Sequence, residues 1–274
     1  SKIKKKYDLI YVKSGEIIGK KLIIELKKKT KKIIYFCNDN PFVKRDKQRW
    51  QLFLPAAKYY DLIAYQDHSR IKLSKKLGLK NSILVLPPYE KNVHKKQRLT
   101  KYEKSIFKND VIFIGTWSPQ KGIFMKKLIQ LGLNIKIYGG LWDKDPNFIF
   151  LKSRVTLGHV FNPNYSKLIQ SAKIAICLFA EGNLDTITAR SIEIPAIGTL
   201  MLSFKTKAMK NVFKENKEAV FFKTAKECYT KSQFYLKNMN RAKKIAKKGN
   251  IKITKNLKLS NDQLIKKLIG TVFC

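Results

Sequence analysis

Short apolar runs alternate with helix-like stretches along almost the whole chain, and few folds can absorb that pattern. Tyr7–Val12, Lys32–Cys37, Asp61–Tyr65 and Ser82–Pro87 read as buried strands, with helices predicted near 16–29, 44–58 and 68–77. A second set of strands starts at Asp110 and continues through Asn134–Tyr138, Arg154–Thr156, Lys173–Leu178, Thr199–Leu202 and Ala219–Phe222. Helices are predicted near 119–131, 163–171, 186–194, 206–214, 226–237, 240–255 and 260–272. Strands joined by crossover helices imply parallel sheets, so the expectation is an α/β chain of two doubly wound halves with a cleft between them. Ligands of such folds sit at the carboxyl ends of the strands. The lysine-rich segment Tyr89–Asn109 reads as a linker, which gives expected domains of 1–100 and 101–255. The remaining residues, 256–274, are expected to form a helix that packs back on the first domain.

A length of 274 residues with 44% hydrophobic content supports two real cores. No apolar run approaches the roughly 20 residues that span a bilayer, and the N-terminus lacks the apolar core of a secretion signal. The four cysteines lie far apart, with Cys37 and Cys177 inside predicted strands, which suits reduced thiols and a cytoplasmic setting better than a disulfide framework or a zinc site.

The charge is extreme, since 58 Lys+Arg against 19 Asp+Glu leaves +39. Two explanations stand side by side. One is a solvated lysine coat that follows an AT-rich coding bias; the other is a polyanionic partner, whether nucleic acid, acidic glycan or anionic membrane surface. In the second case Lys44, Lys47 and Lys58 of the first half are expected to matter, and Lys247, Lys252 and Lys255 of the late helices are not. Only seven of the basic residues are arginine, among them Arg70 and Arg190. Against a lysine background an arginine stands out, because its planar fork grips phosphate or carboxylate in a way lysine cannot.

Two segments carry chemistry. Asp110–Gly122 reads as a buried strand running into a turn at Gly115 and Thr116, with Lys121 at the mouth of the next helix, where free N–H groups and the helix dipole favour a phosphate. Asp185–Leu202 sets Asp185, Arg190 and Glu193 on one short predicted helix, followed by Gly198 and an apolar strand. Fixed cations and N–H donors of this kind stabilise the charge that grows on a diphosphate as its bond to a sugar breaks. A plainer reading accompanies each residue: Asp185 as the cap of a helix starting at Thr186, Arg190 as the partner of Glu193 one turn on, Pro195 and Gly198 as helix terminators.

The order and spacing of these residues resemble a known family. Phe113–Gly115, Ile137–Gly139 followed by Trp142, Tyr165 ahead of Ser171–Ile174, Arg190–Gly198, Glu218–Phe222, Tyr235 with Leu236, and Ile245–Gly249 are similar to the group-1 glycosyltransferase C-terminal domain in its CgeB-like, spore-maturation-type variant. Tyr7–Ile10 and Asn38–Pro41 agree more weakly, and the N-terminal half is short beside that family. The resemblance implies a GT-B fold of two Rossmann-like domains and transfer of a sugar from a nucleotide-sugar donor, with no cofactor and no catalytic metal. Asp185 and Glu193 carry the eight-residue spacing of the paired acids in retaining family-4 transferases, with Asp where that pattern has Glu. By that likeness Glu193 binds the nucleotide ribose and Asp185 faces the donor sugar; Arg190, Lys121 and the amides after Gly115 are the candidates for the leaving group. Gly115, Thr116, Gly139, Trp142 and His159 complete the expected donor site, and Asp39 is expected on the acceptor side.

Trp142 has two roles open to it, stacking on a nucleobase or closing a loop over the core. Asp143 and Asp145 have the D-x-D form of a metal site, which the fold reading opposes. Beside the transferase stand a nucleic-acid-binding protein on a Rossmann scaffold, a viral or phage transferase that sugars DNA and so works in host cytoplasm, and an inactive family member. Peripheral membrane association is a further option for so basic a chain.

Overall fold

The computed structural model describes residues 5–273, without the side chains of Lys44, Arg45 and Lys47. The expectation placed on Lys44 and Lys47 therefore lies outside the described residues. Two compact units divide the chain: 1–87 with 181–185 and 262–274, and 88–180 with 186–261. The first unit thus runs to Pro87 rather than to residue 100.

In the first unit, strands β1 (Tyr7–Lys13), β2 (Thr30–Cys37), β3 (Leu62–Tyr65) and β4 (Ser82–Leu84) form a parallel sheet in sequential order. Its helices are α1 (Lys20–Lys27), α2 (Phe53–Ala56) and α3 (His68–Lys76). The two-residue period of β2 explains how one strand feeds two cores. Ile33, Tyr35 and Cys37 face Ile23, Trp50, Phe53 and Tyr60, while Ile34 and Phe36 face the opposite way. That second face is covered by Leu264 and Leu268, four apart on the last helix of the chain. The single helix predicted over 44–58 is instead two 3-10 turns around the short α2. Pro55 has no N–H to give to the Gln51 carbonyl, and it stands in the first turn of α2, where no such bond to a preceding turn is needed.

The second unit contains β5 (Asn109–Ile114), β6 (Ile135–Gly139), β7 (Val155–Leu157), β8 (Ala172–Cys177), β9 (Leu200–Phe204) and β10 (Val220–Phe222). Its helices are α4 (Lys101–Ile106), α5 (Pro119–Gln130), α6 (Phe148–Leu151), α7 (Asn164–Ser171), α8 (Ala189–Ile197), α9 (Lys207–Val212), α10 (Ala225–Lys237) and α11 (Met239–Ile251). The helix that covers the first sheet is α12 (Asn261–Phe273). All strand pairs are parallel and the order is β10-β9-β8-β5-β6-β7. This is the doubly wound order in which the first strand of the unit lies beside the fourth, and the connections leave that pair in opposite directions. Such a reversal opens a crevice at the carboxyl ends of β5 and β8. Two-sided burial of Val111, Ile112 and Phe113 is what a central parallel strand requires.

Residues 88–108 are folded onto the second unit rather than strung between units. Tyr89 is buried and exchanges backbone hydrogen bonds with Leu259 and Asn261, and the Gln170 side chain makes paired bonds to the backbone of Gln97. Thr100 and Glu103 form a capping box that starts α4. Lysine-rich composition hid these anchors. No helix among the described residues is long and apolar enough to cross a membrane.

Candidate functional site

The reversal point places two loops side by side. After β5 the chain turns at Gly115 and Thr116, and after β6 it turns at Gly139 and Gly140. Gly139 has φ of +152°, and a Cβ there would stand 2.2 Å from the Gly115 carbonyl oxygen, so only glycine permits this close approach. The Gly115 N–H donates to the Tyr138 carbonyl and the Trp117 N–H to that of Gly140, which locks the two turns together. Helix α5 follows with Pro119 in its first turn and no side-chain cap from Ser118, so its first N–H groups face the turn without a side-chain acceptor. Lys121 folds back over this end and donates to the Thr116 carbonyl at 3.0 Å. His159, exposed after β7, lies against the Gly139–Gly140 turn, about 3.5 Å from where a side chain at Gly140 would begin.

Trp142 corrects an expectation. It is fully buried, packs edge-on against Phe113 and donates Nε1–H to the Gly115 carbonyl at 2.9 Å, so it has no face to offer a base. It shapes the turn from beneath. In the same region Asp145 of the D-x-D sequence is buried and accepts from the Trp117 indole and from the Asn147 N–H, both at 2.7 Å. Its Oδ2 would meet a Cβ at position 122 at 1.8 Å, which explains the glycine inside α5. Among the described residues no three His, Cys, Asp or Glu side chains are grouped as metal ligands.

The predicted helix over 186–194 is shifted. Helix α8 begins after Thr188, whose N–H donates to Ser191 Oγ, runs through Pro195 and ends at Gly198 with φ of +93°. Asn250 and the Gly198 N–H take up the carbonyls of Ile194, Pro195 and Ala196 at that end. Asp185 therefore neither caps α8 nor rides on it. Arg190 and Glu193 do share α8, but they do not pair. Glu193 accepts the Tyr165 hydroxyl at 2.6 Å and stands 3.8 Å from His94 Nε2. Burial, reinforced by the negative Glu193, holds the Tyr165 hydroxyl protonated well above its ordinary range, which makes it a committed donor. His94 Nδ1 accepts the Glu90 N–H, so in the neutral ring the proton sits on Nε2, toward Glu193. Arg190, in the first turn of α8, keeps a buried Nε with no partner among the described residues. A buried guanidinium donor left unmatched is costly unless something binds there.

Asp185 belongs to the first unit. There its Oδ1 accepts from Arg70 at 2.5 Å and from Asn183 at 2.6 Å, with Arg70 almost wholly buried. Burial pushes the Asp185 carboxyl up, against the lowering pull of Arg70 and Asn183. Arg70 also donates to the Asn38 carbonyl beyond β2, and Asn183 accepts the Asn40 N–H, so the 181–185 segment is tied to the carboxyl end of the first sheet. Asp39 sits in this neighbourhood, 3.1 Å from Arg49. The site residues thus fall into two groups. Asp39 and Asp185 stand on the first unit, while Gly115, Thr116, Lys121, Gly139, His159, Arg190 and Glu193 stand on the second. Arg70 was visible as an arginine among lysines; His94, the neighbour of Glu193, had no signal in the sequence.

Residues 121–262 match the family described as glycosyl transferase-like. No curated protein gives a significant sequence match. Solved structures do match. Sucrose-phosphate synthase from Thermosynechococcus elongatus superposes with a TM-score of 0.66 at 13% identity, over 97% of this chain and 74% of that one. Anabaena HepE in complex with UDP-glucose gives 0.69 at 13% identity, over 96% and 79%. A trehalose-6-phosphate synthase, studied for glycosyl transfer with retention, gives 0.61 at 12% identity, over 97% and 74%. The shared architecture is GT-B, with two Rossmann-like domains.

Proposed function

The chain belongs to the glycosyl transferase-like family, and from that premise we propose that it moves a sugar from a nucleoside diphosphate donor, held on the second unit, to an acceptor engaged by the first. The observation that carries the reading is the unmatched Arg190 guanidinium beside a pre-oriented Glu193 on one helix at the reversal point of the sheet. Glu193, fixed by Tyr165, accepts the ribose hydroxyls. The diphosphate lies against the first-turn N–H groups of α5, with Lys121 and Arg190 as its cations. As the bond from the anomeric carbon to the phosphate oxygen breaks, that oxygen takes the electron pair, and these fixed positive groups stabilise it. Asp185 retains Oδ2 for the donor sugar, and Asp39 orients an acceptor hydroxyl.

Retention of anomeric configuration is part of the proposal, supported by the Asp185 and Glu193 spacing and by the likeness to a transferase studied for retention. The HepE complex with UDP-glucose makes UDP-sugars the first donors to try. A saturating UDP-sugar should raise Tm by about 5 °C or more, since ligand at 100 times Kd adds about 2.7 kcal/mol. Glu193→Ala should lose most of that shift, while its unliganded stability falls only by the about 1–3 kcal/mol of an unmatched Tyr165 hydroxyl. If uridine, guanosine, adenosine and thymidine diphosphate sugars all leave Tm unmoved, the donor site is refuted.

Metal independence is the second expectation. The leaving-group charge is assigned to Lys121, Arg190 and amides, and Asp145 is already committed to Trp117 and Asn147. Turnover should be nearly the same with and without chelator. Activity lost in chelator and restored by magnesium or manganese would return the leaving group to a metal.

A further inference from the structure

A cavity of about 860 Å³ lies at the amino ends of β8 and β9, the edge of the second sheet away from the β5 and β6 donor loops. It is bounded by Ala172 and Lys173 at the start of β8 and by Thr199 and Leu200 where β9 begins. The six residues of β8 put roughly 20 Å between this edge and the donor loops. The floor is apolar, made by Ala196, Ile197, Leu200 and Ala246. Around it stand six lysines from three parts of the chain, Lys91, Lys95 and Lys96 before α4, Lys173 on β8, and Lys243 and Lys247 on α11. No aspartate or glutamate is among the described residues that line it.

Local structure leaves four of these charges unpaired. Lys173 is paired with Asp110 at 2.7 Å and Lys91 has a partner of its own, but the ammonium groups of Lys95, Lys96, Lys243 and Lys247 have no ion pair or hydrogen bond among the described residues. At the helix end beneath Lys96, Asn250 and the Gly198 N–H take up the carbonyls of Ile194, Pro195 and Ala196. The polar side chains of the wall are also spent: Gln170 on the Gln97 backbone, Thr199 on the Ile169 carbonyl, Thr254 on the Asn250 carbonyl. What remains unsatisfied is positive charge converging on a concave, apolar floor of small-ligand size. This differs from the sequence expectation, which set Lys247 aside as surface coat.

We propose that this cavity is a second anion site that binds a compound bearing more than one phosphate charge and a small apolar body. Ammonium groups of Lys95 and Lys96 and of α11 close on the phosphates, and the floor takes the apolar part. The phosphate comes from a soluble oligophosphate or from the headgroup of an anionic lipid, and the site chemistry is the same for both. His94 also lines the cavity and is shared with the support of Glu193, so the test needs a donor control.

Inorganic tripolyphosphate is the probe, titrated by calorimetry near 150 mM salt, where screening over about 8 Å damps the diffuse lysine coat. A saturable site is expected that persists in Arg190→Ala, where the donor site has lost a phosphate cation. Lys96→Glu combined with Lys247→Glu should weaken binding by on the order of ten-fold or more. Lys214→Glu combined with Lys217→Glu, which reverses two exposed lysines elsewhere, should leave it unchanged. Both double variants change exposed side chains and should unfold at the wild-type temperature, with the UDP-sugar shift intact. Vesicles of cardiolipin, which carries two phosphates, in phosphatidylcholine that displace tripolyphosphate assign the phosphate to a lipid headgroup; vesicles that leave it bound assign a soluble compound. Absence of a saturable site, equal weakening by the two pairs, or loss of the site in Arg190→Ala overturns the proposal.

Discussion

Arg70→Met should destabilise the protein by about 3–5 kcal/mol, the range for removing one partner of a buried ion pair. Arg70 is 1% exposed, and its guanidinium spans the Asp185 carboxylate and the Asn38 carbonyl. Methionine fills similar volume, so the loss reports the uncompensated carboxylate rather than a void. Burial already raises the Asp185 pKa above its unfolded value, and nearby Asp39 and Asp67 push it the same way. A carboxyl so raised favours folding most below its unfolded pKa and loses that contribution as pH rises through the folded value. Without Arg70 the folded value climbs further, so the gap between variant and wild type should be widest near neutral pH and narrow as pH falls through the carboxylate range. Urea unfolding at about pH 7.5 and about pH 4.5 measures both. Asp185→Asn should cost less, because an amide oxygen still accepts from Arg70 while Asp39 and Asp67 offset its charge. A loss under about 1 kcal/mol for Arg70→Met, or a gap that widens in acid, would mean that the pair is not the buried clamp described.

That clamp marks the limit of what could be read from the sequence. Strand positions were legible because a buried parallel strand needs a continuous apolar run, as at Val111–Ile114 and Ile174–Cys177. The glycine turn with Lys121 and the α8 pair Arg190 and Glu193 were legible because chemistry and local spacing coincide there. Partners distant in sequence were not. Nothing local says that Asp185 meets a residue 115 positions earlier, that Glu193 is held by a tyrosine 28 positions back, or that Trp142 turns inward to bond Gly115. Helix α8 was displaced by three residues because Asp185 looks like a good cap and Pro195 like a stop, whereas tertiary bonds give Asp185 to Arg70 and the carbonyls around Pro195 to Asn250. The lysine-rich 89–109 segment was misread for the opposite reason, since its anchors are backbone bonds and two glutamines that composition does not reveal.

The geometry of α8 also fixes the largest kinetic effect expected. Arg190→Ala should reduce turnover by about 10²–10³, the usual cost of deleting one fixed group that stabilises developing charge. The reasoning starts from the unmatched Nε: Glu193 is engaged by Tyr165, so the guanidinium is not neutralised by the acid one turn away. A cation held ready but unpaired acts most strongly when the leaving oxygen gains charge, so the loss should fall mainly on kcat, with a smaller rise in KM. Arg190→Lys should recover part of the rate, since it restores the charge without the planar fork. Glu193→Ala should show the opposite split, a large KM effect from lost ribose contacts and a modest change in kcat. Stability separates chemistry from packing, because Arg190 also lies close enough to Tyr165 and Cys177 to influence their ionisation. If Arg190→Ala unfolds at the wild-type denaturant concentration yet keeps kcat/KM within about threefold, the guanidinium does not stabilise the leaving group, and Lys121 with the α5 amides must carry that charge alone.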